Sequence, residues 1–172
     1  MRDIVREVFV AYFTQFGFPQ DTFKFDLNSD EVEKFVRNRR QGTDPVLIAD
    51  IKNCRVNSGN RTTSITKDKI ITLVGLGEYR IVLDILGYSS KALSDLEGKI
   101  CASTNFYFEF EGYKECKILV EDITYGGYTD YLGKLWLKKT SIELKLLFPL
   151  FRLEELSSIK ISDIKLYIAG RS

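Results

Sequence analysis

A strand that runs directly into a helix is the feature of this sequence that most constrains its fold. From Tyr79 onward, apolar residues occupy alternate positions until Gly87, a spacing typical of a half-buried strand. Ser89 then opens a segment whose apolar residues recur at helical spacing: Ala92, Leu93, Leu96 and Ile100. Because no residues separate the two periods, the sequence predicts one strand packed against one helix. No residue type at this junction indicates catalysis.

The composition favours a binding or structural role. A length of 172 residues predicts a single domain over residues 1–172 with one sizeable core. The formal net charge of +1 gives no overall attraction to nucleic acid or to an anionic membrane. The chain contains no histidine, and therefore lacks the commonest general base near neutral pH and the commonest metal ligand. We expect neither an enzyme nor a bound cofactor or metal.

The cysteines indicate a reducing compartment. There are three, Cys54, Cys101 and Cys116, and their odd number and wide spacing argue against a disulfide framework or a zinc site. We expect Cys101 and Cys116 to be buried as small apolar residues. The first sixteen residues include four charged ones, unlike a signal peptide, and no apolar run approaches transmembrane length. These features predict an intracellular protein.

The first quarter of the chain predicts two helices and a short strand. Apolar residues line one stripe of an amphipathic helix over 2–16, which Gly17 and Pro19 end. Phe23 and Phe25 alternate as in a short edge strand. A second helix is predicted from about Asp30 to Arg40, with Ser29 as its N-cap.

The middle of the chain predicts strands around a polar loop. Val46 to Val56 is predicted as a strand that leaves the core along its length. Residues 57–69 are almost all polar or glycine, so we expect a loop that is mobile in the free subunit and ordered in an assembly. Residues 70–74 and 79–86 form either a hairpin or one long bulged strand.

The last third of the chain predicts further strands and completes the fold class. After the helix over 89–102, alternating aromatic residues are followed by predicted strands at Glu115 to Ile123, Lys138 to Phe148 and Ile159 to Ile168. A tyrosine- and glycine-rich loop is predicted between the first two of these strands. We therefore expect an α/β (α+β) domain with a mixed or mainly antiparallel β-sheet and helices packed on one face.

Two patterns could indicate enzymatic chemistry. Gly75-Leu76-Gly77 lacks the third glycine and the following helix of a dinucleotide site, so a bulge or turn explains it better. Glu143 and Lys145, with Asp122 or Asp130 upstream, match the acid-x-Lys strand of a Mg²⁺-dependent nuclease. The same spacing recurs at Asp50 to Lys52 and at Asp163 to Lys165, as any solvent-facing strand with alternating charge allows. The nuclease remains an alternative.

Arginine and aromatic residues mark the candidate interfaces. The arginines at the end of the second predicted helix either complement its dipole or contact a phosphate or a partner. The tyrosines of the predicted loop could stack on bases, but tyrosine with glycine is more typical of an adaptable protein contact. The single tryptophan suits a core or interface anchor. The interface candidates are Arg37, Arg39, Arg40, Arg61, Tyr125, Tyr128, Tyr131 and Trp136.

The order of elements resembles that of small phage proteins that finish the tail or join it to the head, the tail terminator and neck proteins. The likeness consists of an opening amphipathic helix, a strand entered from a proline, a strand running into a helix, and a closing alternating strand: Ile4–Phe16, Pro45–Ile48, Tyr79–Tyr88 with Ala92–Ile100, and Ser141–Phe148. Residues 20–44 look like an insertion relative to that pattern.

The resemblance implies a virion structural protein whose copies form a ring, commonly a hexamer, on the tail tube. The ring would stop tube growth and meet the head-completion or neck protein, with DNA only passing through it and no membrane contact. Such a protein is assembled in the host cytoplasm and resides in the virion. The competing hypotheses are the Mg²⁺-dependent nuclease and a small non-enzymatic adaptor or binding module that forms no ring.

Overall fold

The computed structural model describes residues 2–32, 45–57, 62–65, 69–110, 113–129 and 135–155. In these ranges lie the helices α1 (Arg2–Gln15) and α2 (Ser90–Ala102) and a helical turn at 29–32. The seven strands are β1 (Phe23–Phe25), β2 (Val46–Asn57), β3 (Thr62–Ile65), β4 (Lys69–Gly87), β5 (Tyr107–Phe110), β6 (Tyr113–Thr129) and β7 (Leu135–Glu155). The predicted helices over 2–16 and 89–102 and the short strand at Phe23 are confirmed. The predicted strand over 159–168 lies outside the described residues.

All seven strands belong to one mixed sheet in the order β1-β2-β4-β7-β6-β5, with β3 also paired to β4. β1 and β2 run parallel, and every other pair is antiparallel. The predicted α+β class with a mixed, mainly antiparallel sheet is therefore confirmed. The longest pairing in the sheet is the antiparallel one between β4 and β7, which extends over almost the whole length of both strands.

The segment over 69–87 is one long strand rather than a hairpin. β4 has 19 residues, and its register against β7 shifts once, between Leu73 and Gly75. Gly77 lies inside the strand, and the ring of Tyr79 covers its backbone. The position requires glycine because a Cβ there would stand 2.6 Å from the Tyr79 Cε2 atom. The Gly75-Leu76-Gly77 pattern is thus part of a bulged strand, one of the two structures that the sequence allowed.

The prediction of a loop throughout 57–69 was wrong in part. Thr62–Ile65 forms β3, which pairs with β4 from Ile65 opposite Ile70 to Thr62 opposite Leu73. The polar composition was read as a loop because the segment has little to bury, yet β4 extends beyond β2 and offers backbone partners to any neighbouring strand. Threonine also suits a strand. Residues 58–61 and 66–68 lie outside the described residues.

One hydrophobic cluster joins the two helices to the sheet. It contains the buried side of α1, Leu93 and Ile100 of α2, the odd-numbered residues of β4 from Tyr79 to Ile85 and the even-numbered residues of β7 from Ile142 to Phe148. The inward residues predicted for β7 are therefore confirmed. Aromatic rings fill the space under α1. The ring centroids of Phe9 and Phe13 lie 4.9 Å apart, and both rings pack against Phe23.

A second, smaller cluster lies on the opposite side of the sheet. It contains Val46 and Ile48, whose neighbours Leu47 and Ala49 belong to the first cluster. Successive residues of a strand point to opposite faces, so the two clusters lie on different faces. Leu27 and Val32 pack against the second cluster. The segment that was expected to be an insertion thus begins by contacting the face opposite to that of the first cluster.

This segment begins a helical turn at 29–32, capped by Asn28 rather than by the predicted Ser29. The Oδ1 atom of Asn28 accepts the Glu31 amide at 2.9 Å, and the Glu31 carboxylate accepts the Asn28 amide at 2.8 Å. This reciprocal pair is a capping box, which fixes the start of the turn one residue earlier than expected. The remainder of the predicted helix, 33–40, lies outside the described residues.

The environments of the cysteines differ. Cys116 is buried as predicted, Cys101 is half-buried, and Cys54 is exposed on β2. Within the described part of the chain, no helix is both long enough and apolar enough to cross a membrane.

Candidate interaction surface

The structure places three of the predicted interface residues. Tyr125 and Tyr128 lie in β6, and Trp136 is the second residue of β7. Arg37, Arg39, Arg40, Arg61 and Tyr131 lie outside the described residues.

The prediction of a tyrosine- and glycine-rich loop from residue 125 was wrong. β6 continues to Thr129, with Gly126 opposite Lys139 and Gly127 opposite Lys138 of β7. Two glycines lower strand propensity, but the paired backbone of β7 overrides that local preference. Residues 125–128 of the predicted contact loop therefore lie on a strand, and Tyr131 lies outside the described residues.

Tyr125 is fixed in place although its side chain is 69% exposed. Its hydroxyl donates a hydrogen bond of 2.9 Å to the Glu97 carboxylate of α2. That hydrogen bond is the main reason why the pKa of Tyr125 is raised, and partial desolvation adds to it. The ring thus holds the end of β6 beside α2 while still offering a broad surface.

β6 forms one edge of the sheet over most of its length. β5 pairs with it only as far as Lys117, and the Asn105 amide donates to the Ile118 carbonyl at 2.7 Å. From Leu119 to Thr129, no described strand lies on that side of β6. A strand edge presents unpaired N–H and C=O groups that another strand can pair with. We call residues 119–129 the β6 edge.

The other side of the sheet also has an edge that the described strands leave partly uncovered. β1 pairs with β2 only at Leu47, Ile48 and Ala49. From Asp50 to Asn57, no strand of the described ranges lies on that side of β2, and residues 52–57 are all exposed. We call residues 50–57 the β2 edge.

Ion pairs cross the sheet face between the two edges. Arg80 of β4 pairs with Glu143 of β7, and Lys145 pairs with Glu121 of β6. These hydrogen-bonded carboxylates are the main reason why the pKa values of both Arg80 and Lys145 are raised. Lys139 lies 2.7 Å from the Asp84 carboxylate, which also accepts the Ser141 hydroxyl at 2.7 Å. Each of these three cations is therefore paired with a carboxylate of the same subunit.

The acid-x-Lys residues belong to this network of ion pairs. Asp122 stands opposite Glu143 in the strand register, so the two carboxylates are neighbours. However, Glu143 is paired with Arg80 and Lys145 with Glu121, on an open sheet face. Among the described residues, no group of three potential metal ligands comes together.

Two charged residues of opposite sign lie on the two edges without an ionic partner in the described part of the chain. Arg55 projects from the β2 edge and makes no ion pair there. Asp122 on the β6 edge accepts a 3.4 Å hydrogen bond from Thr124 and makes no ion pair among the described residues, although its charge adds slightly to the raised pKa of Arg80. Neither residue was predicted as a contact residue from the sequence, because only the strand order shows that β2 and β6 are edges.

No protein-family model matches the chain, and no curated protein matches it.

Proposed function

We propose that this chain is a virion structural protein of the tail terminator or neck type. Copies of it form a ring, a hexamer in the arrangement that we favour, which caps the tail tube and joins it to the head-completion or neck protein. The observation that carries the proposal is a pair of unlike edges on opposite sides of one sheet, β2 over 50–57 and β6 over 119–129, which no strand of the described residues covers. The order of elements, which resembles that family, supports the same function.

A closed ring places a specific requirement on each subunit. Its contacts are heterologous, so every subunit needs two different surfaces that complement each other. The β2 edge and the β6 edge differ in sequence, in length and in the sign of their unpaired charge. A symmetric dimer would use one of these edges twice and leave the other open.

The remaining features suit a ring through which DNA passes. The net charge of +1 limits attraction to phosphates, because affinity for DNA grows with each lysine or arginine contact. We further propose that α1 and α2 cover one face of the sheet, in a tail-terminator-like arrangement. The protein would be made in the host cytoplasm and remain in the virion, without an enzymatic activity or a cofactor.

Light scattering coupled to size-exclusion chromatography, with negative-stain electron microscopy, tests the ring. We expect closed rings of one size, either from the purified chain or at one end of tail tubes mixed with it. A protein that stays monomeric alone and does not cap tubes would contradict the proposal and favour the adaptor. The same preparation, assayed with DNA and Mg²⁺, should show no cleavage. Cleavage that is lost in Glu143→Gln would instead support the nuclease.

A further inference from the structure

We propose that neighbouring copies of this chain join by strand pairing, with the β2 edge of one copy adding to the β6 edge of the next. This inference rests on the proposed ring and names its subunit contact as backbone pairing across one continuous sheet. Strand addition is a common way to satisfy an exposed edge, since main-chain hydrogen bonds supply affinity and flanking side chains set the register.

The strand directions permit this pairing. β2, β4, β7 and β6 are successive neighbours, and each is antiparallel to the next. β2 and β6 of one copy therefore run in opposite directions. A second copy placed beside the first in the same orientation brings its β2 antiparallel to the first copy's β6, which continues the pattern of the sheet.

Charge selects one register for the new pair. In the proposed register, Arg55 of one copy stands opposite Asp122 of the next, because these two charges have opposite signs and attract each other. Both project from the same sheet face, because Arg55 stands opposite Glu78 and Asp122 opposite Glu143. In that register Cys54 stands opposite Ile123, and both of these belong to the face that carries the large hydrophobic cluster.

The positions of the two edges favour a closed, staggered ring over a flat sheet. β1 covers the start of β2 and β5 covers the start of β6, so the two open segments lie at diagonally opposite ends of the sheet. Pairing them staggers successive copies, as closure of a β-barrel requires. Each edge also contains one bulge, between Ile51 and Cys54 and between Val120 and Asp122, which adds the twist and bend that a closed sheet needs.

Disulfide trapping tests this contact directly. The variant Ile123→Cys, in a Cys101→Ser background that keeps the new thiol from pairing with α2, retains the exposed native Cys54. Residues opposite each other in antiparallel strands have Cα atoms about 4.5–5.5 Å apart, within the range of a disulfide. Mild oxidation should therefore give a ladder of linked chains on a non-reducing gel, ending at the closed ring. Adding Cys54→Ser should abolish it.

Two matched variants fix the register and guard against a folding defect. Thr124→Cys, one residue further along and on the opposite face, should give no ladder in the same background. Arg55 and Asp122, the adjoining pair in the proposed register, lie outside both bulges and are both exposed, so cysteines at these two positions can be introduced without disturbing the core. With Cys54 and Cys101 replaced by serine, this pair should also link neighbouring chains.

The outcomes separate this inference from the proposed function. Rings that form without any linked chains from either cysteine pair overturn the edge pairing and leave the ring proposal standing. Linked dimers that persist with Cys54→Ser indicate a symmetric β6-to-β6 contact and also overturn it. A chain that forms no assembly in solution or on tail tubes refutes both proposals.

Discussion

The hydroxyl of Tyr12 on α1 donates a buried hydrogen bond of 2.7 Å to the carbonyl of Ser103 at the end of α2. Ser103 is the C-cap of α2, and its amide donates to carbonyls in the last turn of that helix. The same tyrosine oxygen accepts the Phe106 amide at 3.4 Å. One hydroxyl therefore links α1 to the turn that leads from α2 into β5.

Tyr12→Phe should destabilise the protein by about 1–3 kcal/mol, because the Ser103 carbonyl loses its partner in a buried site and the part-buried Phe106 amide loses its own. Urea denaturation of the two proteins measures the difference. Tyr125→Phe is the matched control, since it also removes one hydroxyl hydrogen bond but from an exposed ring. Equal effects of the two substitutions would show that burial of the Tyr12 bond contributes nothing.

Alkaline pH should lower the stability because burial raises the pKa values of Tyr12 and Tyr79 above their ordinary value of 10.0. The unfolded chain loses these protons near pH 10, while the folded chain keeps them to higher pH. The free energy of unfolding contributed by the two groups is therefore constant below about pH 10 and falls above it. Urea titrations at about pH 9 and pH 11 measure the fall.

Tyr79→Phe should reduce that alkaline loss while changing the stability little at neutral pH. The Tyr79 hydroxyl is buried and meets no partner at normal hydrogen-bond geometry among the described residues, and the nearby Cys54 thiol adds to the effect of burial in raising its pKa. Removing an unsatisfied hydroxyl while keeping the ring is close to neutral. Lysines titrate in the same range in both proteins, so the difference between their pH profiles isolates Tyr79. Identical profiles would contradict the assignment.

Gly77→Ala should destabilise the protein by about 1–3 kcal/mol through overpacking. The added Cβ would lie 2.6 Å from the Tyr79 Cε2 atom, and that ring, only 1% exposed, has no room to move. Gly98→Ala in α2 should instead stabilise by about 1 kcal/mol, because nothing lies within 4 Å of its Cβ position and alanine favours a helix. Thermal unfolding of both variants checks the opposite signs.

Local periodicity predicted the elements whose burial pattern is set by their own residues. Alternation from Ser141 to Phe148 identified the inward side of β7, and helical spacing identified both α1 and α2. Ser89 caps α2 as the junction with β4 indicated, accepting the Ala92 amide at 3.3 Å. These features depend on residues close together in the chain, so the sequence alone reveals them.

The candidate contact surface could not be predicted in the same way. β3 and the second half of β6 are strands because each pairs with the strand that follows it, β4 and β7, while their own polar or glycine-rich composition resembles a loop. Whether Arg55 and Asp122 lie at an edge depends on the order of all seven strands. The tyrosine at 125 was predicted as a contact residue from its type, but its position on an edge strand follows from the pairing of β6 with β7.

Asn28→Ala should destabilise the helical turn at 29–32 by about 1 kcal/mol, because it removes the cap that accepts the Glu31 amide. Ser29→Ala, at the position that the sequence favoured as the cap, should have little effect. Chemical denaturation of the two variants measures the difference. A larger effect at Ser29 would show that the turn begins where the sequence analysis placed it.

Charge reversal at the two edges should weaken the assembly and then restore it. Asp122→Lys alone should lower the apparent association constant about tenfold, or ~1.4 kcal/mol, by placing two cations together in the contact. Arg55→Glu should do the same. Because Arg55 also stands opposite Glu78 in its own subunit, that variant has a stability cost of its own. The double variant should recover most of the lost association, as measured by light scattering at low ionic strength.

The recovery distinguishes a direct contact from a general effect of charge. Asp95→Lys, on the exposed side of α2, changes the net charge by the same amount and should leave association unchanged. Added salt should reduce the difference between wild type and the single variants, because it screens exposed charge pairs. If the double variant associates no better than the single ones, Arg55 and Asp122 do not face each other. The register that places Cys54 opposite Ile123 would then be wrong, whatever the size of the ring.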